Sequence, residues 1–168
     1  MHSTMILIEP TIHTKFGRRL RLPTLSHFLE SAAAAAKLRG EVSVLLTGDA
    51  HIRRLNRRFR RKDQSTDVLS FPAPEFPGDS SLAGDLAISV ETAARQAEEL
   101  GHTLAVELQI LILHGLLHLA GYDHERDSGQ MARRETTLRR RLGLSHGLIE
   151  RSAAGSTVRG KRREAPRP

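Results

Sequence analysis

The chain has 168 residues, which is long enough for one domain with its own hydrophobic core. It contains no cysteine, so disulfides and thiolate metal sites are excluded, and histidine and carboxylate side chains remain as candidate metal ligands. The formal net charge is +7, and basic residues are concentrated in residues 53–62 and 151–168. This distribution favours a polyanionic partner.

The first half of the chain alternates two predicted strands with two predicted helices. Strands are predicted where apolar residues alternate, and helices where a proline or a cap residue precedes a helical run. These elements are a strand at residues 5–12, a helix opened by Pro23 and ended by Gly40, a strand at residues 42–46, and a basic helix capped by Gly48 and Asp49 that begins near Ala50.

The second half contains two more predicted strands and three more predicted helices. The strands are expected at residues 67–71 and 85–90. The helices are expected at 91–100, at 103–120, and after a cap at Asp127 or Ser128 as far as Leu142. Residues 73–83 are rich in Pro, Gly, Asp and Ser, which predicts a loop. We therefore predict an α+β fold, with a small single sheet of about four strands and helices packed on it.

Residues 103–120 form the most apolar stretch, but they include Glu107, Gln109 and two histidines. This polarity predicts a buried core helix and no membrane span. The N-terminus lacks the basic start and apolar run of a signal peptide, and together with the absence of cysteine this predicts a cytoplasmic protein. Composition predicts a folded domain at residues 1–148 and a basic, disordered tail at residues 149–168.

Three histidines that are close in sequence form a candidate metal site. His114 and His118 are four residues apart, so on a helix they share a face with Cβ atoms about 5–6 Å apart. Gly121 permits a left-handed turn that returns the chain, and His124 then supplies a third ligand from outside the helix. Three neutral nitrogen ligands leave a fourth position for water, as in catalytic zinc sites. The sequence thus predicts one zinc ion at the C-terminal end of a buried helix.

The spacing matches the zinc-protease pattern H-E-x-x-H-x-x-G-x-x-H except at one position. Gly115 follows the first histidine, where those proteases have the glutamate that takes a proton from water. The ligand geometry is therefore kept, while the peptidase chemistry is lost. Asp123, beside the third histidine, is a candidate to orient a ligand imidazole, and a turn role is equally compatible with its position.

A second cluster is basic. Seven Lys and Arg residues and no acidic residue lie between Arg53 and Lys62, on a predicted helix. Such a cluster is a candidate surface for nucleic acid, and the alternative is a solvated helix face that binds nothing. The neighbouring metal motif favours the nucleic-acid interpretation.

Combined motifs in this chain resemble the YbeY family of bacterial metal-dependent endoribonucleases. They are the string HGLLHLAGYDH at residues 114–124 and, upstream, Leu55-Asn56, Phe59-Arg60, Lys62-Asp63, the segment TDVLSFP at residues 66–72, and Gly84-Asp85. The resemblance covers residues 40–145 and says nothing about the basic tail. It implies an α+β fold and a zinc ion held by the same three histidines.

The resemblance also implies a function, a substrate and partners. The activity is cleavage of single-stranded RNA in small-subunit ribosomal RNA 3′-end maturation and ribosome quality control, with the small ribosomal subunit and its assembly factors as partners. DNA is not expected. The family pattern has a functional arginine after an aromatic residue that follows Leu-Asn, which makes Arg60 the predicted catalytic residue. Arg57 and Arg61 are predicted to bind RNA phosphates.

The chemistry of RNA cleavage agrees with this assignment. A zinc ion on three neutral ligands keeps a local charge near +2 for a phosphate oxygen and lowers the pKa of bound water to about 7. A guanidinium such as that of Arg60 holds another phosphate oxygen bidentately. Zinc-bound hydroxide and the 2′-OH of the RNA are both candidate attacking groups.

Two other classes of function stay open. One is a non-enzymatic ribosome-assembly factor whose metal stabilises the fold. The other is a zinc hydrolase of peptides or small molecules, which Gly115 and the basic helix both oppose. The fourth coordination position discriminates between catalysis and structure, because a structural site has a fourth protein ligand.

Overall fold

The structure is a computed structural model that describes residues 3–75, 78 and 81–144. Its strands are β1 (Thr4–Ile8), β2 (Glu41–Thr47), β3 (Val68–Pro72) and β4 (Leu82–Ser89). Its helices are α1 (Pro10–Phe16), α2 (Leu22–Ala35), α3 (Asp49–Arg60), α4 (Val90–Leu100), α5 (Leu104–Leu119) and α6 (Gln130–Arg141). A 3-10 turn at Gly17–Leu20 links α1 to α2.

The four strands form one mixed sheet in the order β1-β2-β4-β3. β1, β2 and β4 run parallel, and β3 pairs antiparallel with β4 along one edge. Parallel neighbours need a crossover connection, and α1 and α2 supply it between β1 and β2. The predicted α+β fold, with about four strands in one sheet and helices packed on it, is confirmed.

The two faces of the sheet pack against different helices because side chains alternate along a strand. Val42, Val44 and Leu46 of β2 are 0% exposed and join the main core with α2 and α5. Leu45 points to the other face, where it packs on a smaller cluster that includes Ile52 of α3. The sheet, α2, α4 and α6 all contact α5, so side chains around nearly its whole circumference are buried.

The N-terminal strand is shorter than the sequence predicts, and the prediction of a strand over residues 5–12 is wrong beyond Ile8. Pro10 is at the start of α1, where its fixed φ suits a helix and its missing N–H removes no helical bond. Ile12 is therefore buried on a helix and not on a strand. Apolar residues at alternate positions indicated a longer strand, but the strand ends before Pro10, which starts a helix.

Other boundaries also differ from prediction, and α2 ends at Ala35, ahead of the predicted end at Gly40. β4 begins at Leu82, inside the predicted loop at residues 73–83, because pairing with β2 extends to that residue. The last helix begins at Gln130, and its N-cap residue is Gly129, next to the predicted cap residues Asp127 and Ser128. The Asp127 carboxylate nevertheless accepts two backbone N–H groups at this helix start, as a capping residue does. The predicted tail at residues 149–168 lies outside the described residues.

The apolar helix α5 is the segment whose composition comes nearest to that of a membrane span. Among the described residues, no single helix is both long enough and apolar enough to cross a membrane. α4 and α5 meet the length and composition requirement only jointly, as a pair bent by 114°.

Candidate metal centre

The three histidines predicted as metal ligands lie together in the structure. His114 and His118 are on the last turns of α5, and His124 is on the loop that follows. One ligand atom from each histidine lies within 4.8 Å of those from the other two. The Nε2 atoms of His114 and His118 are 3.2 Å apart. Three imidazoles thus converge on one point, as ligands of a single ion would.

The turn that brings His124 back follows the predicted mechanism. Gly121 has a φ of +93°, in the left-handed region that favours glycine. The N–H of Tyr122 donates to the carbonyl of Leu117, which closes the end of α5. The Asp123 carboxylate then accepts the N–H of Glu125 at 3.1 Å, so this residue stabilises the turn that presents His124.

The packing of α5 against the sheet explains why position 115 is a glycine, which the histidine motif alone does not explain. A Cβ atom at this position would lie 2.7 Å from the Leu86 Cδ2 atom of β4. Helix α5 therefore lies directly on the sheet at the position where zinc proteases have their glutamate. A larger side chain at this position would require the buried Leu86 side chain to move.

Burial sets the protonation state of the half-buried His118. Its pKa is lowered from 6.5 to about 4, first by desolvation and then by the neighbouring His114 and His124 imidazoles. At neutral pH His118 is therefore uncharged, with a nitrogen lone pair available for a metal.

This pKa shift predicts how the stability of the metal-free protein depends on pH. The unfolded chain takes up a proton at His118 near pH 6.5, whereas the folded chain does so only near pH 4. The free energy of unfolding should fall as pH drops from 6.5 toward 4, because the unfolded state binds more protons there. Urea unfolding of chelator-treated protein between about pH 7.5 and pH 4.5 measures this loss.

A His118→Gln variant is the control for that experiment, since it lacks the titrating group. Its stability should fall less over the same interval. Asp49 titrates in a separate window, because hydrogen bonds from Ser89 and Thr92 and the charge of Arg95 outweigh burial and lower its pKa to about 2. Equal losses in wild type and variant above pH 4.5 would contradict the assignment to His118.

Arg60, the predicted catalytic residue, lies at the same cleft as two of the three histidines. It ends α3 and lines a cleft of about 620 Å³ together with His118 and His124. Lys62 also lines this cleft, a residue that the sequence placed in the basic run without a separate role. Two basic residues thus line the same cleft as His118 and His124.

The other predicted phosphate-binding residues lie outside this cleft. Arg57 and Arg61 are exposed near the C-terminal end of α3, and neither is among the residues that line it. Their contact with RNA stays a prediction. Arg53, the first residue of the basic run, donates two hydrogen bonds to Asp63 at 2.9 and 3.0 Å, so part of this basic cluster is already paired with an acidic residue.

Comparison with known proteins assigns the chain to a family. Residues 12–143 match the family model described as Endoribonuclease YbeY. The chain belongs to the YbeY endoribonuclease family. The predicted family and the prediction of an enzyme, a nuclease, are both confirmed at this level. The matched range includes all three histidines and Arg60.

Individual members of the YbeY family are similar to this chain over most of its length. A protein from Koribacter versatilis, named Endoribonuclease YbeY, is 54% identical over 141 residues, which are 84% of this chain and 90% of that protein. One of the same name from Solibacter usitatus is 51% identical and covers 79% of this chain and 86% of its own length. A solution structure from Thermotoga maritima has a TM-score of 0.55 at 29% identity, covering 84% of this chain and 89% of that one.

Sequence reasoning missed one residue beside the histidines. Glu135, on α6, is 2% exposed, and its Oε2 atom lies 3.8 Å from the Nδ1 atom of His114. One signal could have found it: Met131, Glu135 and Leu138 follow a helical apolar spacing, so an acidic residue stands where a buried apolar one is expected.

Proposed function

We propose that this chain is a zinc-dependent endoribonuclease that cleaves single-stranded RNA. The observation that carries the proposal is that the three histidines lie together and that two of them, His118 and His124, line a cleft open to solvent with Arg60. Family membership supports the RNA-cleaving activity. We further propose small-subunit ribosomal RNA 3′-end maturation and ribosome quality control in the cytoplasm as its role.

The side chains present suit a zinc ion. The cluster offers three imidazole nitrogens, and the lowered pKa of His118 keeps that ligand neutral. No cysteine competes for the metal. When bound, zinc would supply a Lewis acid that stabilises negative charge on a phosphate oxygen.

The chain's own residues would bind and orient the phosphodiester. The Arg60 guanidinium offers two parallel N–H donors, which match two phosphate oxygens better than an ammonium does. Lys62, on the same cleft, adds positive charge for a neighbouring phosphate. The exposed Arg57 and Arg61 would extend this surface along the RNA backbone.

A catalytic metal is favoured over a structural one by the number of ligands. Among the described residues, the candidate metal-holding group consists of three side chains, and a structural zinc site has four. The alternative, a ribosome-assembly factor with a structural metal, would need a fourth protein ligand. The cleft beside His118 and His124 instead leaves one side of the cluster accessible to substrate.

A metal-titrated cleavage assay tests the proposed function. Metal-free protein is incubated with a single-stranded RNA and with a fully paired RNA of the same composition, and zinc is added in steps. Cleavage of the single strand should rise until one zinc is bound per chain, with little cleavage of the duplex. RNA binding without cleavage at any zinc level would favour the assembly factor.

The proposed domain division, a nuclease domain at residues 1–148 and a basic tail at 149–168, leads to a deletion experiment. Deleting residues 151–168 removes six basic residues and one acidic residue. Folding and zinc content should persist, while RNA affinity weakens and its dependence on salt becomes shallower as phosphate contacts are lost. Circular dichroism, elemental analysis and RNA titrations at several salt concentrations measure these effects.

Two outcomes would contradict this prediction. An unchanged slope of affinity against salt would show that the tail does not contact RNA. A truncated protein that fails to fold would show that the segment belongs to the domain.

A further inference from the structure

Glu135 is a buried acidic residue of α6, on a face whose other buried side chains are Met131, Leu138 and Arg139. Its neighbours on that face, Met131 and Leu138, are 0% and 1% exposed, and Glu135 itself is 2% exposed. Moving a carboxylate from water into such a place costs free energy unless polar groups face it. The polar groups that face Glu135 therefore indicate what its charge does.

The carboxylate faces one of the three clustered histidines. The Oε2 atom of Glu135 is 3.8 Å from Nδ1 of His114, within ion-pair range and longer than a hydrogen bond. On the opposite side of the same ring, Nε2 of His114 is 3.2 Å from Nε2 of His118. The two nitrogens of the His114 ring therefore have different surroundings: one faces the carboxylate, and the other faces the histidine cluster.

The Nδ1 atom of His114 is buried and hydrogen-bonds no other group among the described residues. A neutral imidazole carries one N–H and one lone pair, on different nitrogens. The Nε2 lone pair is available to a metal only when the proton is on Nδ1. A carboxylate near Nδ1 stabilises that tautomer, because it attracts an N–H and repels a lone pair.

We propose that Glu135 is a positioning residue of the metal centre: its carboxylate keeps the proton of His114 on Nδ1, so that Nε2 is presented to the zinc ion. The proposal rests on the zinc site of the proposed function. Glu135 would act through His114 and would not contact the metal or the RNA. Loss of such a carboxylate partner typically weakens metal binding by about 10- to 100-fold.

Zinc affinity of Glu135 variants tests this role without any measurement of RNA cleavage. Glu135→Gln removes the charge and keeps the shape, and Glu135→Leu also removes the acceptor. The zinc dissociation constant, measured by competition with a chromophoric chelator, should rise about tenfold in the first variant and about a hundredfold in the second. If Glu135→Leu fails to fold, Glu135→Gln decides the question.

Glu107 provides a matched control on α5. It is 0% exposed and shares a hydrogen bond with His102 instead of a clustered histidine. Glu107→Gln should lower thermal stability, because it weakens the contact with His102, and leave zinc affinity as in wild type. Long-range ¹H–¹⁵N spectra of the zinc-loaded proteins add a direct readout: the Nδ1 proton of His114 should be present in wild type and in Glu107→Gln and be altered in the Glu135 variants.

Three outcomes would overturn the proposal. Folded Glu135 variants that bind zinc as tightly as wild type would show that the carboxylate does not act on the metal centre. An equal loss of affinity in Glu107→Gln would show a general effect of stability. A wild-type protein with no measurable zinc affinity would reject the zinc site and this role together, whereas a zinc-binding protein that cleaves no RNA would reject only the nuclease function.

Discussion

Replacing Arg60 with glutamate should lower RNA cleavage by about 10²- to 10³-fold, the loss seen when one preorganised donor to a transition-state charge is removed. The substitution also places a negative charge at the cleft where the proposed function has the substrate phosphate bind, so repulsion adds to the lost contact. Single-turnover cleavage at saturating enzyme measures the effect on the chemical step. Zinc content and thermal stability should hardly change, because Arg60 is exposed and does not belong to the core.

Arg57→Glu is the matched control for this experiment. Both arginines are exposed on α3 and both changes alter the net charge equally, but only Arg60 lines the cleft with His118 and His124. Arg57→Glu should therefore weaken RNA binding modestly, and more at low salt than at high salt. Equal, small losses of cleavage in the two variants would make Arg60 one member of a diffuse basic surface.

Replacing His118 with alanine should remove both the metal and the activity. The two histidines that remain, His114 and His124, would bind zinc weakly, because the affinity of such a site depends on the full set of ligands. Thermal stability in the presence of zinc should also fall, since metal binding to the folded state stabilises it. Elemental analysis after gel filtration, thermal unfolding with and without zinc, and RNA cleavage measure the three effects.

His13→Ala is a suitable control, because His13 is an exposed residue of α1, outside the histidine cluster. It should keep zinc, stability and cleavage. Full zinc occupancy in His118→Ala would refute the ligand assignment. Loss of zinc with cleavage retained would refute a catalytic role for the metal.

The sequence by itself determined the parts of this protein that depend on local spacing. Residues four apart on a helix share a face, and a glycine permits the left-handed turn, so spacing alone groups His114, His118 and His124. Most strands and helices followed from apolar periodicity in the same way. The same rule failed near Pro10, where alternating isoleucines indicated a strand although the proline starts a helix.

The tertiary structure alone decided which distant residues surround the histidines. Arg60 is on α3 and Glu135 is on α6, and no local pattern fixes the distance of either from α5. The packing of α5 on β4 explains Gly115, whose missing side chain makes room for Leu86. Burial beside two other imidazoles, which lowers the pKa of His118, likewise arises only when the chain is folded. Such features depend on contacts between segments far apart in sequence, which spacing along the chain does not encode.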